Sequence, residues 1–249
     1  MRKAIYNTGT SMTSNPIVDL IVGLAWPIVL TGVVVMFRAP VTRLIDRIKK
    51  VEIEKGRLSL EIQPILDQSA TEARNAAKPP EQPTTAELER GEKIAAADIG
   101  WPRIRVAAIE RAVEYDTVRA TMPSSEDRTK ALTGIIAKMR TLGASVFPYR
   151  YEFVDAASPG QRLLVIAALQ VTPDLDLCRW LRDRILQERP FLGFHAIGAL
   201  RRALTAPAAT HERTELKAII NEIDQNKNFQ GDSDRESAFK SLVDEASRI

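Results

Sequence analysis

Two residues of this sequence, His195 and Cys178, carry side chains that act in other proteins as bases, nucleophiles or metal ligands. His195 lies in the apolar run PFLGFHAIGAL, and a histidine in such a run is more typical of hydrogen-bonded packing than of catalysis. Cys178 lies next to Arg179, whose charge would favour a thiolate, but no histidine is near it in the sequence to act as its base. The spacing therefore predicts no catalytic nucleophile.

Recognisable catalytic and cofactor motifs are missing from the sequence. It has no G-x-x-x-x-G-K-[ST], G-x-G-x-x-G, H-E-x-x-H or G-x-S-x-G pattern. With a single cysteine and two histidines, a zinc site within one chain is not expected. The polar run at residues 224–236 is similar to a calcium loop, but Phe229 or Ser237 occupies the position that requires glycine. We therefore expect no catalytic residue, no cofactor and no metal site, and a protein that is not an enzyme.

Arginine is concentrated between Ser158 and Thr205, where all seven basic residues are arginine and four residues are acidic. Arginine suits bidentate contacts with phosphate or carboxylate, so this stretch could bind nucleic acid or an acidic partner. Solvated helix faces, ion-paired with the acidic C-terminal helices, explain the same pattern, and the lack of interleaved aromatic residues favours this alternative. The residues proposed for a partner-binding surface are Arg179, Arg182, Arg201 and Arg202.

These residues have to be positioned by the rest of the chain, whose N-terminal part contains an apolar segment. Leu20 to Phe37 contains no charged residue, and residues 16–37 are long enough for one transmembrane helix, which needs roughly 20 apolar residues. A cleaved signal peptide and a buried core helix are the alternatives. The run exceeds the apolar region of a signal peptide and ends at Arg38 without small residues resembling A-x-A, so a retained anchor is favoured.

The basic residues beside this segment predict its orientation. Arg2 and Lys3 precede it, whereas seven lysines and arginines follow it between Arg38 and Arg57. By the positive-inside rule, residues 1–15 lie outside and the C-terminal domain lies in the cytoplasm at the inner membrane. The bilayer is thus a predicted partner of residues 16–37.

Residues 38–67 are predicted to form a juxtamembrane unit. Apolar residues from Val41 to Ile48 recur at helical spacing, which indicates a short amphipathic helix. Its bases either contact anionic lipid or only set the topology. The alternation from Val51 to Ile62 around Gly56 then predicts a β-hairpin, which would pack on another element or pair in a homo-oligomer. The candidate membrane-surface residues are Arg38, Arg43, Arg47, Lys49 and Lys50.

Residues 68–85 lack large apolar side chains and contain three prolines, which predicts a mobile linker. Residues 86–249 show helical spacing almost throughout. Thr84 and Glu87 fit a capping box at the first helix, and Ser124 or Ser125 fits the N-cap of a helix that stops near Gly143. The prediction is an all-α domain.

The last third of the chain contains a weak internal repeat. RLLVIAALQ aligns with GFHAIGALR at an offset of thirty-one residues, and an amphipathic helix follows each segment. The region from Tyr115 to Leu204 resembles HEAT or armadillo-like helical modules, which occur in bacterial multidomain proteins beside unrelated effector or sensor parts. This resemblance implies an accessory or interaction role and supplies no catalytic residues.

Together these patterns predict a mainly α, single-pass membrane protein with a short juxtamembrane helix and β-hairpin, a linker and an α-hairpin domain. The function they favour is a non-catalytic interaction or scaffold module that presents a helical surface to an unidentified cytoplasmic protein. The alternative is a membrane-tethered signalling or nucleic-acid-binding domain that uses the arginine-rich face.

Overall fold

The structure, a computed structural model, describes residues 62–77, 79–97 and 99–249. The described chain is mainly helical and includes no strand. Within these ranges no helix combines the length and apolar character needed to cross a membrane. The predicted transmembrane helix at 16–37, the juxtamembrane helix and most of the predicted hairpin lie outside the described residues.

Ten α-helices, numbered here in chain order, and two 3-10 helices are present in the described ranges. Their bounds are α1 62–75, α2 Thr85–Ala96, α3 Trp101–Thr121, α4 Glu126–Thr141, α5 Gly143–Val146, a 3-10 helix Phe147–Glu152, α6 Pro159–Val171, a 3-10 helix Leu175–Leu177, α7 Cys178–Gln187, α8 Pro190–Thr205, α9 Thr210–Asn226 and α10 Ser233–Arg248.

Side chains fix several helix starts at the residues that the sequence indicated. The Thr84 hydroxyl accepts from the Glu87 backbone N–H, and the Glu87 carboxylate accepts from that of Thr84, which confirms the predicted capping box. Ser125 is the N-cap of α4. At α10 the N-cap is Asp232, whose carboxylate accepts from the Arg235 N–H.

Four helices form a row at the centre of the domain: α4 packs on α6, α6 on α8, and α8 on α10. Helix α3 covers α4 and α6, and α7 packs against α8 and α9. The two segments of the internal repeat are α6 and α8, and Ala168 and Ala199, aligned by the offset, are both buried. Small side chains at these positions allow the central helices to approach closely.

Residues 62–75 correct the sequence prediction. The sequence predicts that Ile62 belongs to the hairpin and residues 68–75 to a mobile linker, yet both belong to helix α1. The physical reason is a buried stripe at helical spacing, formed by Ile62, Leu66, Ala70 and Ala73. Its second half consists of alanines, which give the segment the composition of a linker. Residues 51–61 of the predicted hairpin lie outside the described residues.

Candidate binding cleft and its buried network

Residues 79–84, here called the strap, connect α1 to α2 and carry three prolines and two neighbouring polar residues, Glu81 and Gln82. The sequence predicted that they belong to a mobile linker. In the structure the strap lies against the central row of helices, and its carbonyl groups accept hydrogen bonds from buried side chains. The strap is therefore fastened to the domain along its length.

One polar side chain from each of three successive row helices binds the strap. From α4, Arg140 Nη2 donates to the carbonyls of Pro80 and Glu81, at 3.0 and 2.8 Å. From α6, Gln170 Nε2 donates to the Glu81 carbonyl at 3.1 Å. From α8, Arg201 Nη1 donates to Glu81 Oε2 at 2.5 Å. Arg140, Gln170 and Arg201 are here called the polar row.

Arg140 is the most deeply buried charge of the polar row, with 0% of its side chain exposed. Its Nε donates to Gln170 Oε1 at 2.6 Å, and its Nη1 lies 3.9 Å from Glu87 Oε2. Burial lowers the pKa of Arg140 to about 10, against the opposing effect of Glu87, so the guanidinium stays charged at neutral pH. Burial also favours the neutral form of Glu87 and so raises its pKa, and the positive charge of Arg140 opposes this rise. These two groups depend on each other for their charge.

Gly198 allows the strap to approach α8. A Cβ at this position would lie 2.6 Å from the Glu81 carbonyl oxygen and 2.8 Å from Gln170 Nε2, both far inside van der Waals contact. The Gln82 side chain also contacts this position, since its Nε2 donates to the Gly198 carbonyl at 2.8 Å. The absence of a side chain at Gly198 is thus a steric requirement of the bound strap.

His195 connects the network to a neighbouring cleft. Its side chain is fully buried, with Phe191 and Phe194 packed edge-on at centroid distances of 4.6 and 5.1 Å. Its Nδ1 lies 3.2 Å from Arg140 Nη2. Arginine nitrogen can only donate, so Nδ1 is the acceptor and the neutral ring carries its proton on Nε2. Burial, and then the charge of Arg140, hold the pKa of His195 well below its ordinary value.

The cleft beside His195 has a volume of about 310 Å³. Its apolar wall comes from Leu132, Phe191 and Phe194, and the strap contributes Pro79. The remaining lining residues are Arg119, Ser124, Arg128, Thr129, Pro190, Asp232 and Asp234. The buried His195 Nε2 has no hydrogen-bond partner among the described residues. The cleft thus combines an aromatic wall with an unused donor.

The two arginines of the cleft carry charge that no carboxylate pairs within the described ranges. Arg128 donates to the Met122 carbonyl at 3.2 Å and to Ser124 Oγ at 2.7 Å, both of which are neutral. The Arg119 side chain forms no hydrogen bond or ion pair with the described part of the chain. On the opposite wall, Asp232 is paired with Arg235 at 3.1 Å.

Cys178 is placed away from this cleft, at the start of α7. Its thiol donates weakly to the Asp174 carbonyl at 3.7 Å, and burial together with nearby carboxylates raises its pKa to about 12. The expectation from sequence that neighbouring arginines would favour a thiolate does not hold here, because desolvation outweighs them. The thiol is protonated at neutral pH.

The arginines proposed for a partner-binding surface are mostly used inside the domain. Arg179 pairs with Glu215 at 3.0 Å and Arg182 with Glu222 at 2.6 Å, both on α9. Arg201 pairs with Glu81 of the strap and with Glu245 of α10. Arg202 is exposed and has no ion pair among the described residues. The membrane-surface candidates, Arg38 to Lys50, lie outside those residues.

Sequence reasoning missed both the polar row and the cleft arginines. Arg140 and Gln170 are 30 residues apart, and Arg201 follows Gln170 at the offset of the internal repeat. Extending the repeat by one unit towards the N-terminus reaches Met139, so the offset alone would not have identified Arg140. No comparable signal marks Arg119 and Arg128, because they meet only where α3 and α4 turn towards the start of α8.

The fold and the cleft define a class of protein only in general terms. The described part of the chain is a helical domain with a hydrogen-bonded strap and a small cleft lined by apolar and charged side chains. Comparison with protein-family models, curated proteins and solved structures gives no match for this chain. Within the described ranges, no group of three or more histidine, cysteine, aspartate or glutamate side chains is arranged to hold a metal ion. Functional inference therefore rests on the geometry of the residues themselves.

Proposed function

We propose that this protein is a membrane-anchored, non-catalytic interaction module whose helical domain presents a protein-binding surface on the cytoplasmic face. The anchor is the uncharged run from Leu20 to Phe37, oriented by the basic residues after it. The domain is a short stack of helical hairpins of the HEAT or armadillo type. The order of the row, α4–α6–α8–α10, and the coincidence of α6 and α8 with the sequence repeat support this.

The observation that carries the proposal is an aromatic surface formed by the start of α3 and the 3-10 helix Phe147–Glu152. Trp101 and Tyr149 stack with ring centroids 3.9 Å apart, and Tyr149 and Tyr151 are 39% and 54% exposed. Aromatic residues are enriched in protein interfaces because they bury a large area at low entropic cost.

Hydrogen bonds hold this aromatic surface in a fixed arrangement. Glu152 accepts from Trp101 Nε1 and from Arg105 Nε, each at 3.0 Å. The Tyr151 hydroxyl donates to Asp174 Oδ2 at 3.2 Å. A preorganised surface loses little side-chain entropy when a partner binds, which suits a binding role.

In vivo cross-linking of the full-length chain tests the interaction proposal. A photoreactive phenylalanine at Tyr151 should give a discrete cross-linked protein, which mass spectrometry identifies as a second copy or another protein. The matched control places the same residue at Lys240, an exposed position of α10. An identical pattern at both positions, or none at Tyr151, would contradict a partner-binding role for the aromatic surface.

Membrane fractionation tests the anchor. Leu30→Arg places a charge near the middle of the apolar run, which costs about 2.5–3.5 kcal/mol for insertion. The full-length chain should resist alkaline extraction from membranes, and Leu30→Arg should weaken that resistance. Lys3→Arg is the conservative control. Recovery of the unmodified chain in the soluble fraction would refute the anchor.

The alternative, a tethered nucleic-acid-binding or signalling domain, depends on free arginines. The ion pairs of Arg179, Arg182 and Arg201 favour the interaction module instead, since paired guanidinium groups have lost much of their attraction for phosphate. Binding of the full-length chain to RNA or DNA, measured against salt concentration, separates the two. A steep fall of affinity with salt that Arg202→Gln reduces would support the alternative.

A further inference from the structure

We propose that the cleft bounded by Arg119, Arg128 and His195 is a binding site for a small organic anion, in which an oxyanion is attached to an aromatic or aliphatic group. This site is separate from the aromatic surface and does not depend on the interaction proposed for that surface. Three features of the cleft indicate this class of ligand: a buried donor, two guanidinium groups without a carboxylate partner, and an apolar wall.

The buried donor is Nε2–H of His195. The contact with Arg140 fixes Nδ1 as the acceptor, so the proton lies on the opposite edge of the ring. That nitrogen is completely buried and has no acceptor in the described part of the chain, although His195 lines the cleft. A buried donor without an acceptor costs about 1–3 kcal/mol. A ligand oxygen that reaches this nitrogen after a small movement of a neighbouring side chain would relieve that cost.

The charge of the cleft favours an anion. Arg119 and Arg128 line one wall without a carboxylate partner among the described residues, and Pro190 places the positive end of α8 at the same site. The α8 N-cap, Arg189, makes no side-chain cap hydrogen bond. Asp234 opposes this charge from the α10 wall, whereas Asp232 is already paired with Arg235.

The apolar wall selects the rest of the ligand. Phe191 and Phe194 lie on the same helix as His195, four residues and one residue before it, and Leu132 faces them from α4. A volume of about 310 Å³ is at the lower end of small-molecule sites and suits a ligand of one ring or a short chain. An inorganic ion alone would leave this wall uncovered.

The test is an NMR titration of the full-length chain labelled with 15N-histidine. The chain has two histidines, so His211 on α9 serves as an internal reference. Phenylacetate and phenyl phosphate are the probes and distinguish a carboxylate from a phosphate ligand. Binding of either should shift the Nε2 resonance of His195 and leave that of His211 unchanged. Phenylacetamide, which has the ring without the charge, and acetate, which has the charge without the ring, should each bind at least about tenfold more weakly.

Two variants and a matched control assign the binding to the cleft. Arg119→Gln and Arg128→Gln should each raise the dissociation constant of the better probe by about tenfold or more, the effect of losing one charge-assisted hydrogen bond. Arg202→Gln removes an exposed arginine elsewhere on α8 and should leave the constant unchanged. The proposal is overturned if neither probe shifts His195, if phenylacetamide binds as well as phenylacetate, or if all three variants have the same effect.

Discussion

The polar row and the α7–α9 contact both use arginine, but in opposite environments. Arg140 of the row is completely buried and contacts two strap carbonyls, Gln170 and His195. Arg179 of the α7–α9 contact is 59% exposed, and its partner Glu215 is 54% exposed. The same side chain is therefore an internal connector in one region and a solvated surface group in the other.

Burial decides where charge determines structure in this domain. Breaking a buried charge network leaves uncompensated groups in a medium of low polarity, whereas water replaces the partner of an exposed ion pair. The strap should therefore depend strongly on Arg140, and the position of α9 should depend mainly on apolar contacts such as those of Leu216 and Ile220. Three substitutions and one double-mutant cycle test this comparison.

Arg140→Met is expected to have the largest effect. It keeps most of the side-chain volume but leaves Glu87 buried without its cation and removes both hydrogen bonds from Nη2 to the strap carbonyls. The free energy of unfolding should fall by about 3–5 kcal/mol, measured by urea denaturation followed by circular dichroism. Arg179→Met is the matched control. If both variants lost the same amount, the distinction between the two regions would be wrong.

Gly198→Ala tests the strap without changing a charge. The added Cβ would overlap the Glu81 carbonyl, so either α8 or the strap has to move, at a cost of about 1–3 kcal/mol. Limited proteolysis should then cut the chain between residues 76 and 84 faster than in the unmodified protein. Gly100→Ser is the control, because a Cβ there lies 3.8 Å from Pro102 Cδ in ordinary contact. Unchanged proteolysis of Gly198→Ala would show that the strap is not held by this approach.

Local signals in the sequence were sufficient for the helices but not for the strap. The start of α4 was predictable because Ser125, the acidic first turn and the apolar spacing all lie within one segment. The polar row was not, because Arg140 and the Glu81 carbonyl that it binds are 59 residues apart. Composition also suggested a mobile linker for residues that small apolar side chains and carbonyl contacts hold in place. The cleft was missed for the same reason: it forms only when three helix ends meet.

His195→Asn tests the protonation state inside the network. The folded pKa of His195 is below 6.5, so the unfolded chain takes up this proton first and the stability contribution is lost as the pH falls below about 6.5. Between pH 7 and 5.5 the free energy of unfolding should decrease by up to about 1.4 kcal/mol per pH unit from this group. Asparagine retains an acceptor for Arg140 but does not titrate, so its pH profile should be flatter.

His211→Asn is the control for this profile, because His211 is exposed at the start of α9. Its substitution should leave the slope between pH 7 and 5.5 unchanged. Glu81 and Glu87 also titrate with raised pKa values, and both histidine variants retain them. These carboxyl groups change the free energy of unfolding in the opposite direction to His195. Because their pKa values are raised, the folded state binds more protons than the unfolded state, and stability is lost as the pH rises through those values. If the unmodified protein and His195→Asn had the same slope, the fold would not lower the pKa of His195.

The smallest effect is expected at the α7–α9 contact. A double-mutant cycle of Arg179→Ala and Glu215→Ala should give a coupling free energy of about 0.2–1 kcal/mol, the range of exposed ion pairs. Added salt should reduce it, because solvent ions screen charges at this exposure. A coupling of several kcal/mol that persists in salt would contradict the comparison. It would mean that α9 is held by charge as firmly as the strap is, and that burial of the arginine does not decide how much a contact contributes.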